Sequence, residues 1–183
     1  MSSYIKRLET AVEKIEEIEK ICKLKGVAKA LEDESILKPA IMKHFDVIYQ
    51  QFEKLEKAQE YHILSKIDKD DLKGLKQVRN WSSHDYDNIE NEIIEHAIHT
   101  KLPKLKENIQ KVLKETKKDM CEDLQKKIDR FVKKQDILTS QAKSELKSDI
   151  QKSYDILQKK GLELDNTYTG KLGSIIKDNS NVR

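Results

Sequence analysis

Apolar residues recur every three or four positions along most of this chain, and that spacing constrains the fold more than any other feature. Such a period places apolar side chains on one face of an α-helix. The clearest stripe is Ile5, Leu8, Val12, Ile15, Ile18 and Ile21. Only five glycines and two prolines occur in 183 residues, and 5% of the residues are aromatic, so a large sheet is not expected. We predict an all-α protein, an up-and-down helical bundle of about four to five helices with a C-terminal helical extension.

The helical pattern weakens after the first 113 residues, which predicts a division of the chain. Residues 1–113 are expected to form the helical domain. Residues 114–161 carry two further apolar stripes and are expected to form a helical extension. Residues 162–183 contain two glycines and a run of small polar residues, so we predict a flexible tail there.

Charge is distributed unevenly between these parts. Residues 1–113 contain 20 lysines and arginines against 21 aspartates and glutamates, whereas residues 114–183 contain 16 against 12. The net charge of +3 is too small to indicate nucleic-acid binding by itself. The basic extension could contact a polyanion or dock on a partner protein, although a solvated helix face is the simpler explanation for most of its lysines.

Several kinds of site and location have no support in the sequence. Cys22 and Cys121 are the only cysteines, and no Cys/His cluster has the spacing of a metal site. No apolar run exceeds three residues, so no membrane span is predicted, and the first residues do not resemble a secretory signal. His96 and His99 could share a helix face, but a solvated face is favoured over a zinc site. We therefore predict a cytoplasmic protein that uses no metal and no cofactor.

The residues with recognisable chemistry lie between positions 79 and 86. Arg79 and Asn80 are followed by His84 after a three-residue spacer, and Tyr86 comes two residues later. Arginine presents a planar fork of donors to a phosphate, and histidine exchanges a proton near neutral pH. Together these groups can cleave a phosphodiester without a metal ion.

Each of these residues also has a simpler explanation. Arg79 could form a surface ion pair, Asn80 could end a helix, and His84 could be a cap or core residue. Trp81, the only tryptophan, is more often a core or dimer anchor than a platform for an RNA base. The combination of the residues in a helical frame favours the catalytic interpretation.

The sequence also predicts a helix junction beside the motif. Asp87-Asn88-Ile89-Glu90 has the form of a capping box, so a helix is expected to start at Asn88 and residues 82–86 to lie at a junction. On one continuous helix, positions 79 and 84 would lie about 140° apart around the axis. A break between them, or a second protomer that supplies one of them, would bring both groups to one phosphate.

The pattern Arg79-Asn80-x-x-x-His84-x-Tyr86 in an all-helical chain resembles the HEPN superfamily, and most closely the HepT-like toxins. The flanking residues extend this resemblance over roughly residues 4–113. The resemblance implies a metal-independent endoribonuclease with RNA as its substrate, formed as a homodimer in which two motifs meet in one cleft. It also implies a partner, a small nucleotidyltransferase antitoxin that transfers AMP to the motif tyrosine and silences the nuclease.

Carried over by position, the resemblance assigns a role to each motif residue. Arg79 would bind the scissile phosphate, and His84 would handle protons. Asn80 would orient the site, and Tyr86 would receive AMP. The family often has a bulky apolar residue before the histidine, where this chain has Ser83. Some HEPN domains are non-catalytic adaptors beside nucleotidyltransferases, so an adaptor or nucleotide-binding subunit is the alternative function.

Overall fold

The computed structural model describes residues 3–84 and 90–177, and the contacts divide the chain into one unit that ends at Leu113 and a second that begins at Lys114. All regular secondary structure in the described residues is helical, which confirms the predicted all-α class. The helices are α1 (Ser3–Lys25), α2 (Val27–Glu32), α3 (Leu37–Lys57), α4 (Tyr61–Leu64), α5 (Lys69–His84), α6 (Asn91–His96), α7 (Leu102–Lys134), α8 (Ser140–Gln158) and α9 (Asn166–Lys177).

The first unit is organised around α3, which packs against both α1 and α5. The apolar stripe of α3 is buried along its whole length, as its spacing predicts: Ile41, Phe45, Ile48, Phe52 and Leu55. Burying each side chain of this size contributes about 1.5–3 kcal/mol of hydrophobic free energy. Because α5 packs on this helix, α3 fixes the position of the segment that carries the motif.

A short helix occupies a segment that the sequence predicts to be a connector with weak helical character. Gly26 follows the last residue of α1, and its φ of 81° lies in the left-handed region that favours glycine. The next residues form α2, which buries Ala30 and Leu31. Six residues are too few for a helical period to show in the sequence, and an isolated helix of that length is unstable in water. Burial of these two side chains therefore stabilises α2.

The segments from α6 to α7 are helical without a loop between them. Pro103 lies in the first turn of α7, and the preceding turn, Ala97–Lys101, is a π-helix. There the Leu102 N–H donates to the Ala97 carbonyl, five residues back. Proline has no N–H to donate to the preceding turn, and a π-helical turn changes the hydrogen-bond register just before it.

The second unit has its own apolar core. The buried residues of this core come from the C-terminal part of α7 and from α8 and α9: Leu124, Ile128, Phe131, Ile150, Leu157, Leu172 and Ile175. α7 and α8 follow the two apolar stripes expected of a helical extension.

The C-terminal segment corrects the prediction of a flexible tail from residue 162. Residues 166–177 form α9, which buries Leu172 and Ile175. The Tyr168 hydroxyl and the Lys171 ammonium donate to the Asp129 carboxylate over 2.7 and 2.8 Å, and the Lys171 bond is the main cause that lowers the pKa of Asp129. Two glycines inside a helix cost about 1 kcal/mol each, so the sequence favoured a loop, but tertiary burial offsets that cost.

Among the described residues, no helix has the length and apolar character needed to cross a membrane.

Candidate active site

The helix α5 carries the first part of the motif. The Asp68 carboxylate accepts a hydrogen bond from the Asp70 N–H at 2.7 Å, which caps the start of the helix. Leu75 and Val78 are buried on the inner face of α5. No glycine or proline lies between Leu75 and His84, so nothing in the sequence interrupts the backbone hydrogen bonds of the helix.

The junction predicted for residues 82–86 contains the end of α5, but a helix break between Arg79 and His84, one of the two arrangements considered, is not found. α5 continues through both positions and ends at His84. The next helix begins at Asn91 rather than Asn88, and Glu90 at its N-cap makes no side-chain capping bond. The predicted cap residue Asp87 lies outside the described residues.

Arg79 lies half-buried on α5, and its neighbour Asn80 is exposed. The Arg79 Nη1 donates to the Asn80 Oδ1 over 3.4 Å, a long and therefore weak hydrogen bond. Arg79 is also close enough to α3 to affect Tyr49. Burial is the main cause that raises the pKa of Tyr49, Glu53 and Glu56 add to the rise, and the Arg79 charge opposes it.

The side of α5 that carries Arg79 borders a shallow groove of mixed charge, which we call the α3–α5 groove. Its walls include Lys73 and Lys76 from α5 and Glu53 and Glu56 from α3. A phosphate in this groove would meet two carboxylates as well as two ammonium groups. The described walls of the α3–α5 groove are therefore of mixed charge rather than strongly cationic.

Helix geometry separates Arg79 from position 84. At about 100° per residue, two positions five apart on a helix lie about 140° apart around the axis. Position 84 therefore belongs to the side of α5 that carries Gln77 and Trp81, away from Arg79. Tyr86, the predicted site of AMP transfer, lies outside the described residues. One α5 helix alone does not bring positions 79 and 84 to the same side.

A second groove lies on the Trp81 side of α5, between α5 and the segment from α6 to α7; we call it the α5–α7 groove. The residues that line it include Phe45, Asp71, Gly74, Val78, Trp81 and Leu105. This groove was not among the sites predicted from the sequence. The available signal was the spacing of residues 71, 74, 78 and 81, which places them on one helix face.

No candidate metal centre is found in the part of the chain that the structure describes: no group of three histidine, cysteine, aspartate or glutamate side chains could hold an ion. The two histidines that could share a face make other contacts. The His96 Nε2 lies 3.1 Å from the Thr100 hydroxyl, and the His99 Nε2 lies 3.6 Å from a Glu95 carboxylate oxygen. Each histidine therefore contacts a side chain four residues away on its own helical segment.

The fold and the motif together define a class of protein. The described residues form helices only, and the motif Arg-Asn-x-x-x-His in an all-helical chain resembles the HEPN superfamily. The family model described as "Ribonuclease HepT-like" matches residues 10–112, which is more than half of the chain. The protein therefore belongs to the HepT-like ribonuclease family, as the motif predicted. Searches of curated proteins and of solved structures gave no significant match.

Proposed function

We propose that this protein is a toxin-type, metal-independent endoribonuclease of a toxin-antitoxin system that acts in the cytoplasm. The observation that carries the proposal is that the HepT-like match, residues 10–112, contains the whole Arg79-to-Tyr86 motif. The position of Arg79 at the surface of α5, beside exposed Asn80, supports it.

The proposed reaction is an internal transesterification of RNA. His84 takes the proton of a ribose 2′-hydroxyl, or gives a proton to the leaving 5′-oxygen. The 2′-oxygen forms a bond to phosphorus, and the bond from phosphorus to the 5′-oxygen breaks. The products are a 2′,3′-cyclic phosphate and a 5′-hydroxyl. Arg79 binds the phosphate and stabilises the charge that grows on its oxygens, while Asn80 orients the Arg79 side chain.

We propose further that a homodimer supplies the complete site. The wide angle between positions 79 and 84 on continuous α5 supports an arrangement in which Arg79 of one protomer and His84 of its partner act on the same phosphate. A two-fold axis would create two such pairs in one cleft.

Regulation in this proposal acts through Tyr86. A cognate nucleotidyltransferase antitoxin transfers AMP to the Tyr86 hydroxyl. The added nucleotide introduces bulk and negative charge beside the position of the RNA phosphate, and steric blockage and like-charge repulsion both oppose RNA binding.

The alternative proposal is a non-catalytic adaptor or nucleotide-binding subunit in a complex with a nucleotidyltransferase. The observation that favours it is the pair of carboxylates, Glu53 and Glu56, on the wall opposite Lys73 and Lys76. In that case Arg79 anchors one phosphate of a nucleotide, and no RNA is cleaved.

Cleavage of RNA in the presence of a chelator separates these two functions. The purified full-length protein is expected to cleave RNA at the same rate with and without excess EDTA, because no step uses a metal ion. The fragments should carry 2′,3′-cyclic phosphate and 5′-hydroxyl ends, which mass spectrometry identifies. An absence of cleavage by a folded dimer would support the adaptor, and 5′-phosphate ends would contradict the proposed reaction.

A further inference from the structure

The α5–α7 groove has the size and lining of a small-molecule site. Its cavity volume is about 150 Å³, close to that of an engineered apolar cavity of about 150 Å³ that binds benzene, so the groove has room for a single ring. Buried Phe45, Val78 and Leu105 form apolar surface within it. Half-buried Trp81 also lines the groove and offers a flat aromatic surface. Such a lining suits a planar, partly apolar ring.

Gly74 keeps the groove open. It lies in the middle of α5, where glycine costs about 1 kcal/mol relative to alanine. A Cβ added to Gly74 would meet no atom within 4 Å, so close packing does not explain the glycine. Around the axis of α5, Gly74 lies between Trp81 and Val78, on the face of the helix that lines the groove. The space beside Gly74 is therefore available to a ligand.

The polar group best placed to recognise a ligand in the groove is the carboxyl group of Asp71. Asp71 is half-buried, and burial is the main cause that raises its pKa; Asp68 adds to the rise, and Lys101 opposes it. Asp70 also lines the groove, but it is exposed and pairs with Lys73 at 3.3 Å. A carboxylate accepts hydrogen bonds from an exocyclic amino group of a nucleobase. Uracil instead presents carbonyl oxygens on both sides of its one N–H, and a carboxylate repels these oxygens.

We propose that the α5–α7 groove binds a nucleobase that carries an exocyclic amino group, such as cytosine. The base lies against Trp81, and its amino group donates to Asp71. Position 84 lies on the same side of α5 as Trp81, and helix positions three apart are neighbours, so a base held here adjoins position 84. The assignment of this base to the RNA substrate rests on the proposed nuclease function, whereas recognition of the base itself does not.

Fluorescence of Trp81 tests the proposal without any cleavage. Trp81 is the only tryptophan of the chain, so its emission reports directly on the groove. Cytidine and uridine have the same size and carry no phosphate, so binding through Arg79 does not contribute to the signal. We expect saturable quenching by cytidine, with an affinity on the order of tenfold higher than that for uridine.

Matched variants assign the signal to the groove. Gly74→Phe fills the groove and should abolish quenching by cytidine, whereas Gly74→Ala should preserve it; both residues are better helix formers than glycine. Asp71→Asn should remove the preference for cytidine over uridine, because an amide both donates and accepts. Asp70→Asn removes an equal charge from the exposed neighbour and should leave the preference intact.

Three results would overturn the proposal. The first is no saturable quenching of the full-length protein by cytidine. The second is quenching that is unchanged in Asp71→Asn and in Gly74→Phe. The third is a Gly74→Phe protein that binds cytidine normally but loses its dimer, which would make the groove a protein interface. If the protein distinguishes cytidine from uridine but cleaves no RNA, the proposed nucleobase site stands and the proposed nuclease function is refuted.

Discussion

Replacing Arg79 or His84 by alanine is expected to lower the rate of RNA cleavage by about 10²–10⁴-fold in each case. His84→Ala removes the group that moves protons between the ribose and the leaving oxygen. Arg79→Ala removes the charge and the planar donors that stabilise the phosphorane. The measurement is the initial rate of cleavage of one RNA oligonucleotide by the purified full-length variants, with the dimer checked by light scattering.

Two further variants test whether the loss of cleavage activity is specific to the motif. Lys76→Ala removes an exposed cation one turn before Arg79, on the wall of the α3–α5 groove, and should have a small effect. Arg79→Lys keeps the charge but loses the planar fork, so its rate should lie between those of the wild type and Arg79→Ala. Full activity in Arg79→Ala or His84→Ala, or an equal loss in Lys76→Ala, would refute the assignment of the motif.

Transfer of AMP to Tyr86 is expected to abolish RNA cleavage. The modification places a bulky anion two positions from His84, where the RNA phosphate has to bind. The protein is expressed alone and together with a neighbouring nucleotidyltransferase, and intact mass with peptide mapping gives the number of AMP units on Tyr86. Cleavage rates of the two preparations are then compared at equal dimer concentration.

The Tyr86→Phe variant provides the control for this modification. It keeps the aromatic ring but has no hydroxyl to accept AMP. It should therefore remain active after expression with the nucleotidyltransferase. Inhibition without added mass on Tyr86 would instead indicate that the partner blocks the cleft by simple occlusion.

The long helices of this fold could be predicted from the sequence, and the short or polar ones could not. The apolar stripe from Ile41 to Leu55 is long enough for its helical period to be unambiguous, and all five of its residues are buried. α2 is too short to show a period, and α9 contains Gly170 and Gly173. Both are stabilised by contacts with residues distant in sequence, which local propensity does not contain.

The candidate site was also predicted only in part from the sequence. The identities and spacing of Arg79, Asn80, His84 and Tyr86 pointed to the family that the match confirms. The junction beside the motif was predicted at residues 82–86, and α5 ends there at His84, but α6 begins at Asn91, later than the apparent capping box at residues 87–90 suggested. The spacing of residues 71, 74, 78 and 81 predicts one wall of the α5–α7 groove, but the groove itself depends on how α5 lies relative to α3 and the α6–α7 segment, which no local pattern contains.

The central claim is that Arg79 of one protomer and His84 of the other form the catalytic pair, and a mixed dimer tests it most directly. Arg79→Ala and His84→Ala chains with different affinity tags are expressed together, and tandem purification isolates the heterodimer. Its cleavage rate is predicted to be about half that of the wild type, because one of the two pairs across a two-fold axis remains intact. A heterodimer as inactive as its two parent homodimers would contradict the claim.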